Sequence, residues 1–160
     1  MPAARPAGIA QRDIGGIAVA VLSRSAALAE LSEAMSSGRH VKLAFCNANL
    51  VNIAAADPAL LRQLAGFLVL PDGIGVDLGC RLLYGDSFPA NLNGTDFIPA
   101  LLEAETRALT IALLGARPGV AERAAAKLAE RYPRHCFRVA GDGFFDAAGE
   151  AVLLASLKAA

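Results

Sequence analysis

At 160 residues, with 55% apolar and 19% charged residues, the chain has the length and composition of one domain with a proper core, not of a disordered chain. Fifteen basic and fifteen acidic residues cancel to zero net charge, and there are two Tyr and no Trp, so the basic stripe and stacking platforms of a nucleic-acid binder are both missing. Cys46, Cys80 and Cys136 lack C-x-x-C spacing and His40 and His135 are the only histidines, which excludes a disulfide framework and a histidine-rich metal site and fits a reducing compartment.

Residues 1–13 are rich in Ala, Pro and Arg and read as a loose leader. Arg5 and Arg12 before the apolar run "IGGIAVAVL" imitate a short secretory signal, but glycines interrupt the run and Arg24 follows it, so a first core strand over 16–22 is the better reading. A helix is expected over 25–35 with Ser23 or Ser25 as its cap, a strand over 40–46, and a helical stretch over 47–64 broken at Asp57-Pro58. A short strand over 66–70 precedes a helix over 74–83. Next comes a helix over 95–107, with Thr95 or Asp96 near its start, and then "LTIALLG" (109–115), which reads as the clearest buried strand in the chain. A helix over 116–132 with Pro118 in its opening turn, a strand over 136–141 and a final amphipathic helix complete the series.

Strand and helix alternate throughout, which predicts an α/β fold with an open, mostly parallel sheet and helices on both faces. No segment approaches the roughly 20 apolar residues that cross a bilayer. The last helical pattern stops without a cap or a following strand, so the expectation is an α/β domain over 14–160 that is truncated at its C-terminus.

In such folds ligands gather at the carboxyl ends of the strands, beside helix N-termini. The turn "LPDGIGVDLG" places Asp72 and Gly73 there. Its glycines do not fit a dinucleotide fingerprint, since the third comes one residue too late. Asp72 reads either as a general base for a sugar hydroxyl or as a plain helix cap. Asn47, Asn49 and Asn52 bind sugar hydroxyls or cap the next helix. The turn Gly115 to Gly119, with Arg117, cradles a phosphate or simply joins strand to helix. Asp142 and Gly143 in "GDGFFD" face a ribose or base, or form an ordinary D-G turn. The polar loop "FPANLNGTDF" carries Asn91, Asn93, Thr95 and Asp96; a cap explains the last two but not the asparagines.

Together "NANLVNIAAADPALL", "LVLPDGIGVDLGCRLLYG", "FPANLNGTDFIPALL", "IALLGARPGVAERAAAKLAERYP" and "GDGFF" resemble, in order, the WecB/TagA/CpsF family of bacterial glycosyltransferases. The resemblance implies a Rossmann-like fold and metal-independent, inverting transfer from a UDP-sugar to a polyprenyl-diphosphate-linked saccharide in cell-surface or exopolysaccharide synthesis. No cofactor is implied. The family's proposed general base falls on Asp72, its asparagine after the second strand on Asn47, and the aspartate of its G-T-D segment on Asp96. Phe45 stands where many members have threonine, and Ala90-Asn91-Leu92 stands where many have E-R-V, so the arginine of that segment is absent. "NLNGTDF" resembles an exopolysaccharide branch that includes a glucosyltransferase, which makes UDP-glucose a plausible donor. Members continue into a G-x-P-x-Q-E-type motif and a basic segment that contacts donor and membrane, which implies a peripheral protein at the inner face of the bacterial cytoplasmic membrane. A homo-oligomer is left open. A non-catalytic nucleotide-sugar-binding fragment is the main alternative. A nucleotide-dependent oxidoreductase is disfavoured, because no G-x-G-x-x-G follows the first strand.

Overall fold

The computed structural model describes residues 8–159. The chain divides into two compact units, one ending at Leu101 and one starting at Leu102. Each has its own sheet.

The first unit opens with a hairpin. Strand β1 (Gln11–Ile14) pairs antiparallel with β2 (Ile17–Ala20) through Gly15 and Gly16, whose φ angles of +62° and +86° suit the tight reversal. Residues 11–13, expected in a loose leader, are therefore part of the sheet; the first seven lie outside the described residues. Helix α1 (Arg24–Ser36) follows, capped by Ser23, whose Oγ accepts from the Ala26 N–H at 3.2 Å. Then come β3 (Leu43–Cys46), α2 (Ala48–Ala56), α3 (Pro58–Leu64), β4 (Leu68–Pro71) and α4 (Ile74–Tyr84). Asp57 caps α3 immediately before its Pro58, as the D-P break suggested. Helix α5 (Gly94–Ala104) runs across the division between the units.

The sheet order is β1-β2-β4-β3, with β4 parallel to both β2 and β3. Alternation along β4 sends its side chains to opposite faces. Val69 packs with Ala54, Leu64, Val76 and Cys80 from α2, α3 and α4. Leu68 and Leu70 pack with Ala27 and Leu31 of α1 and Phe97 of α5. Helices thus cover both faces, and β4 is buried along its whole length. Burying a side chain such as Phe97, Leu68 or Leu70 is worth about 1.5–3 kcal/mol, so this strand anchors the unit.

In the second unit β5 (Thr110–Leu114) pairs in parallel with β6 (Cys136–Gly141), with an irregularity after Leu113. Helices α6 (Val120–Arg131) and α7 (Ala147–Ala159) pack on β6. The strand over 109–115, expected to be the clearest buried strand, alternates between exposed and half-buried instead; among the described residues it pairs with β6 and packs against α6. Helix α6 begins at Val120, so Pro118 lies in the preceding turn and not in the helix. The fold is α/β and Rossmann-like, with its strands divided between a mostly parallel four-stranded sheet and a parallel pair.

Candidate active site

Asp72 leaves the carboxyl end of β4 on a backbone held from three directions. Its own N–H donates to the Cys46 carbonyl at 2.8 Å, continuing the β3–β4 ladder by one step. The preceding carbonyl, of Pro71, accepts from the Leu92 N–H at 2.8 Å. The following N–H, of Gly73, donates to Asn91 Oδ1 at 2.9 Å. The half-buried Asp72 carboxylate, by contrast, accepts no hydrogen bond among the described residues. It does not cap α4. That position belongs to Gly73, at φ +89° and ψ 164°, and no side chain caps the helix.

Three helix N-termini meet here. A Cβ on Gly75 would lie 3.2 Å from the Ala48 Cβ, so the first turns of α2 and α4 touch. A Cβ on Gly94 would meet the Phe45 ring at 3.1 Å, which sets the start of α5 against β3. Each N-terminus carries about half a positive charge, so the region favours anions and polar oxygens. Phe45 packs edge-on against Phe97 at 6.2 Å and fills the space beneath Gly94.

The asparagines have definite structural tasks. Asn47 caps α2, its Oδ1 accepting from the Leu50 N–H at 3.0 Å. Asn49 is exposed in the first turn of that helix. Asn93, not Thr95 or Asp96, caps α5: its Oδ1 accepts from the Asp96 N–H at 3.0 Å and from Thr95 Oγ1 at 2.6 Å, while its Nδ2 donates to Asp96 Oδ2 at 2.9 Å. The two asparagines that a cap did not explain are thus a cap and a brace for the Asp72 turn. Either task leaves polar atoms free to meet a ligand.

A cavity of about 420 Å³ opens beside the turn, walled by Pro71, Gly73, Ile74 and Asn91. Asp72 sits between two of these residues without forming part of the wall. The far side was not singled out from the sequence: Asp77, Arg81 and Ser87. Asp77 accepts from the Phe88 N–H at 3.0 Å and pairs with Arg81 at 3.2 Å, and Arg81 Nε donates to Ser87 Oγ. The i,i+4 spacing of Asp77 and Arg81 is the one signal that marks this wall in the sequence. Arg12 secures the same loop from β1, donating to the Asp86 and Ser87 carbonyls at 3.1 and 3.0 Å between the rings of Tyr84 and Phe88.

Cys46, directly beneath Asp72, is fully buried; burial, with the Asp72 charge nearby, pushes its thiol up to about 11. It stays protonated at neutral pH and is no nucleophile. His135 is also structural: Nδ1 accepts from the Leu109 N–H at 3.3 Å, which leaves Nε2–H to donate to the Leu102 carbonyl at 2.8 Å. Among the described residues no three His, Cys, Asp or Glu side chains are grouped to hold a metal, and no helix is long and apolar enough to cross a membrane.

The remaining residues picked from the sequence lie in the second unit. There the turns after β5 and β6 are joined: Gly143 N–H donates to the Ala116 carbonyl at 2.9 Å, and a Cβ on Gly143 would lie 3.2 Å from the Ala116 nitrogen. Gly115 at φ +122° and Gly119 at φ +80° shape the turn, and Gly119 starts α6 without a side-chain cap, so its first-turn N–H groups lack a side-chain acceptor. Arg117 is exposed on this turn. Asp142 forms a D-G turn through the Phe144 N–H at 2.9 Å and lines a second cavity of about 260 Å³ with Phe145, Gly141 and Leu153. Asp72, Gly73 and Asn91 are brought together in the first unit, while Gly115, Gly143 and Asp142 form a separate group in the second.

Comparison with curated proteins finds no match. The family model described as "Glycosyl transferase WecG/TagA/CpsF family" matches residues 12–160, nearly the whole chain, and takes in both groups of residues. The chain therefore belongs to the WecG/TagA/CpsF family of glycosyltransferases.

Proposed function

We propose that this protein transfers a sugar, of the hexose or N-acetylhexosamine type, from a UDP-sugar to a polyprenyl-diphosphate-linked saccharide, with inversion and without a metal. The family is one of glycosyltransferases; cell-surface polysaccharide synthesis at the inner face of the cytoplasmic membrane is the setting proposed for it. UDP-glucose is the proposed donor, following the exopolysaccharide-type "NLNGTDF" segment.

One observation carries the catalytic assignment: Asp72 has its backbone pinned at three successive points and its carboxylate free of donors among the described residues. A carboxylate kept only as a helix cap would be hydrogen-bonded to the first turn. A free one on a rigid backbone is available to accept the acceptor's hydroxyl proton. In the proposed step that hydroxyl oxygen attacks the anomeric carbon while Asp72 takes its proton. The bond from the anomeric carbon to the UDP oxygen breaks on the opposite face, and UDP leaves with the electron pair. Gly73, Asn91, Asn93, Thr95, Asp96, Asn47 and Asn49 order the sugars. The turn of Gly115, Arg117 and Gly119, with Asp142 and Gly143, receives the nucleotide, and the uncapped start of α6 faces its phosphate charge.

The test is transfer from labelled UDP-sugars to a polyprenyl-diphosphate glycan by the wild-type protein and Asp72→Asn. The expected loss is about 10²–10⁴-fold in kcat with donor binding retained. Undiminished turnover removes Asp72 from the role. UDP binding by calorimetry without any transfer favours a non-catalytic nucleotide-sugar-binding fragment.

A further inference from the structure

Helix α4 leads away from the candidate cavity with an uncovered apolar face. Ile74, Leu78 and Leu82 recur at i, i+4 and i+8 and are 77%, 50% and 87% exposed. These positions line one side of a helix over about 12 Å. The opposite side, with Val76 and Cys80, is buried in the core, so the helix is secured without its outer face. A soluble surface rarely leaves a row like this without a purpose.

We propose that this stripe seats the first isoprene units of the acceptor's lipid chain. The inference rests on reading the cavity as the seat of the acceptor's sugar and diphosphate. Ile74 belongs to both features: it walls the cavity and starts the stripe. The surface therefore runs from polar, at Gly73 and Asn91, to apolar, along α4, in the order that a sugar, a diphosphate and a prenyl chain follow one another. The charge along this face agrees. Arg81, at 59%, is its one strongly exposed charge and also walls the cavity, and its partner Asp77 is 28% exposed, so an anionic amphiphile meets a cation beside the leucines. A second copy of the chain fits less well. One face of an 11-residue helix offers a few hundred Å², short of the roughly 800 Å² per partner of a stable interface.

Calorimetric titration with glucosyl diphosphate capped by a methyl or a farnesyl group separates the lipid contact from the head-group contact. The farnesyl form is expected to bind the wild-type protein about tenfold more tightly than the methyl form. In Leu78→Gln/Leu82→Gln that preference disappears, while the methyl form binds within about twofold of wild type. Leu82→Gln alone, at a position almost fully exposed, is expected to lose part of the preference with an unchanged melting temperature, which separates the effect from misfolding. Equal wild-type affinity for the two ligands overturns the proposal. So does a preference that survives the double substitution, or a wild-type dimer in sedimentation that the double substitution dissociates. Tight binding of the farnesyl form with none of the methyl form supports the stripe and refutes the cavity reading instead.

Discussion

The side-chain oxygen of Asn91 accepts the Gly73 N–H at 2.9 Å across eighteen residues of chain, and so ties the loop before α5 to the turn that presents Asp72. The next residue repeats the tie on the other side, Leu92 N–H to the Pro71 carbonyl. Asn91 is thereby a positioning residue for the proposed base. Asn91→Leu removes the acceptor while leaving the Gly73 N–H open to water, so its stability cost is at most about 1 kcal/mol. Its expected effect on transfer is about a tenfold lower kcat with a much smaller change in KM, since misplacement costs rate more than binding. Steady-state kinetics beside a denaturant melt separate the two.

Gly73 itself stands at φ +89° with nothing within 4 Å of a would-be Cβ. Gly73→Ala therefore meets no clash, and its cost is backbone strain alone, about 1–3 kcal/mol. A guanidinium titration measures it. A loss near zero would mean that the turn relaxes readily into another conformation.

The thiols are expected to separate by burial. Cys136 is exposed, whereas Cys46 and Cys80 are buried. Alkylation at pH 8 is expected to label Cys136 in the folded protein and the other two only after denaturation, read by intact mass. Rapid labelling of Cys46 would contradict its buried, protonated state.

Cys46 also gives stability a pH dependence. Its thiol is raised from an ordinary value near 9 to about 11 in the folded protein. The unfolded chain therefore releases this proton first as pH rises. The contribution is complete below about 9 and is lost between 9 and 11. Denaturant midpoints across that window are expected to fall more steeply for wild type than for Cys46→Ala. Parallel slopes would remove Cys46 as the cause.

His135 joins the Leu102 carbonyl to the Leu109 N–H through its two ring nitrogens. His135→Ala strands both groups in a largely buried setting and is expected to cost about 1–3 kcal/mol in a thermal melt. Nitrogen NMR of the wild-type ring is expected to show the proton on Nε2.

The element types were legible because local chemistry specifies them. Alternating apolar strands, Asp57-Pro58 at a helix start and Ser23 before α1 all act over a few residues, and each element formed close to where the pattern put it. The membership of Asp72 in a tight strand-to-helix turn was legible for the same reason. Sequence pattern could not reveal that residues 11–13 pair with β2, because Gln-Arg-Asp carries no strand signal and the pairing depends on the Gly15-Gly16 reversal beside a covered sheet. Nor could it show how far 109–115 is buried, since burial depends on which elements cover each face of the strand.

For the candidate site the division is similar. By itself the sequence determined the polar and glycine-rich turns, their order along the chain and the family to which they belong. Only the tertiary structure decided which oxygens are spent and which are free. Asn93 and Asn47 are used as caps, Asn91 as a brace, and the Asp72 carboxylate is left without a donor among the described residues. The two caps span only three residues, but the Asn91 brace spans eighteen and Gly94 rests on Phe45 from still farther along the chain, and short-range chemistry carries no record of those contacts.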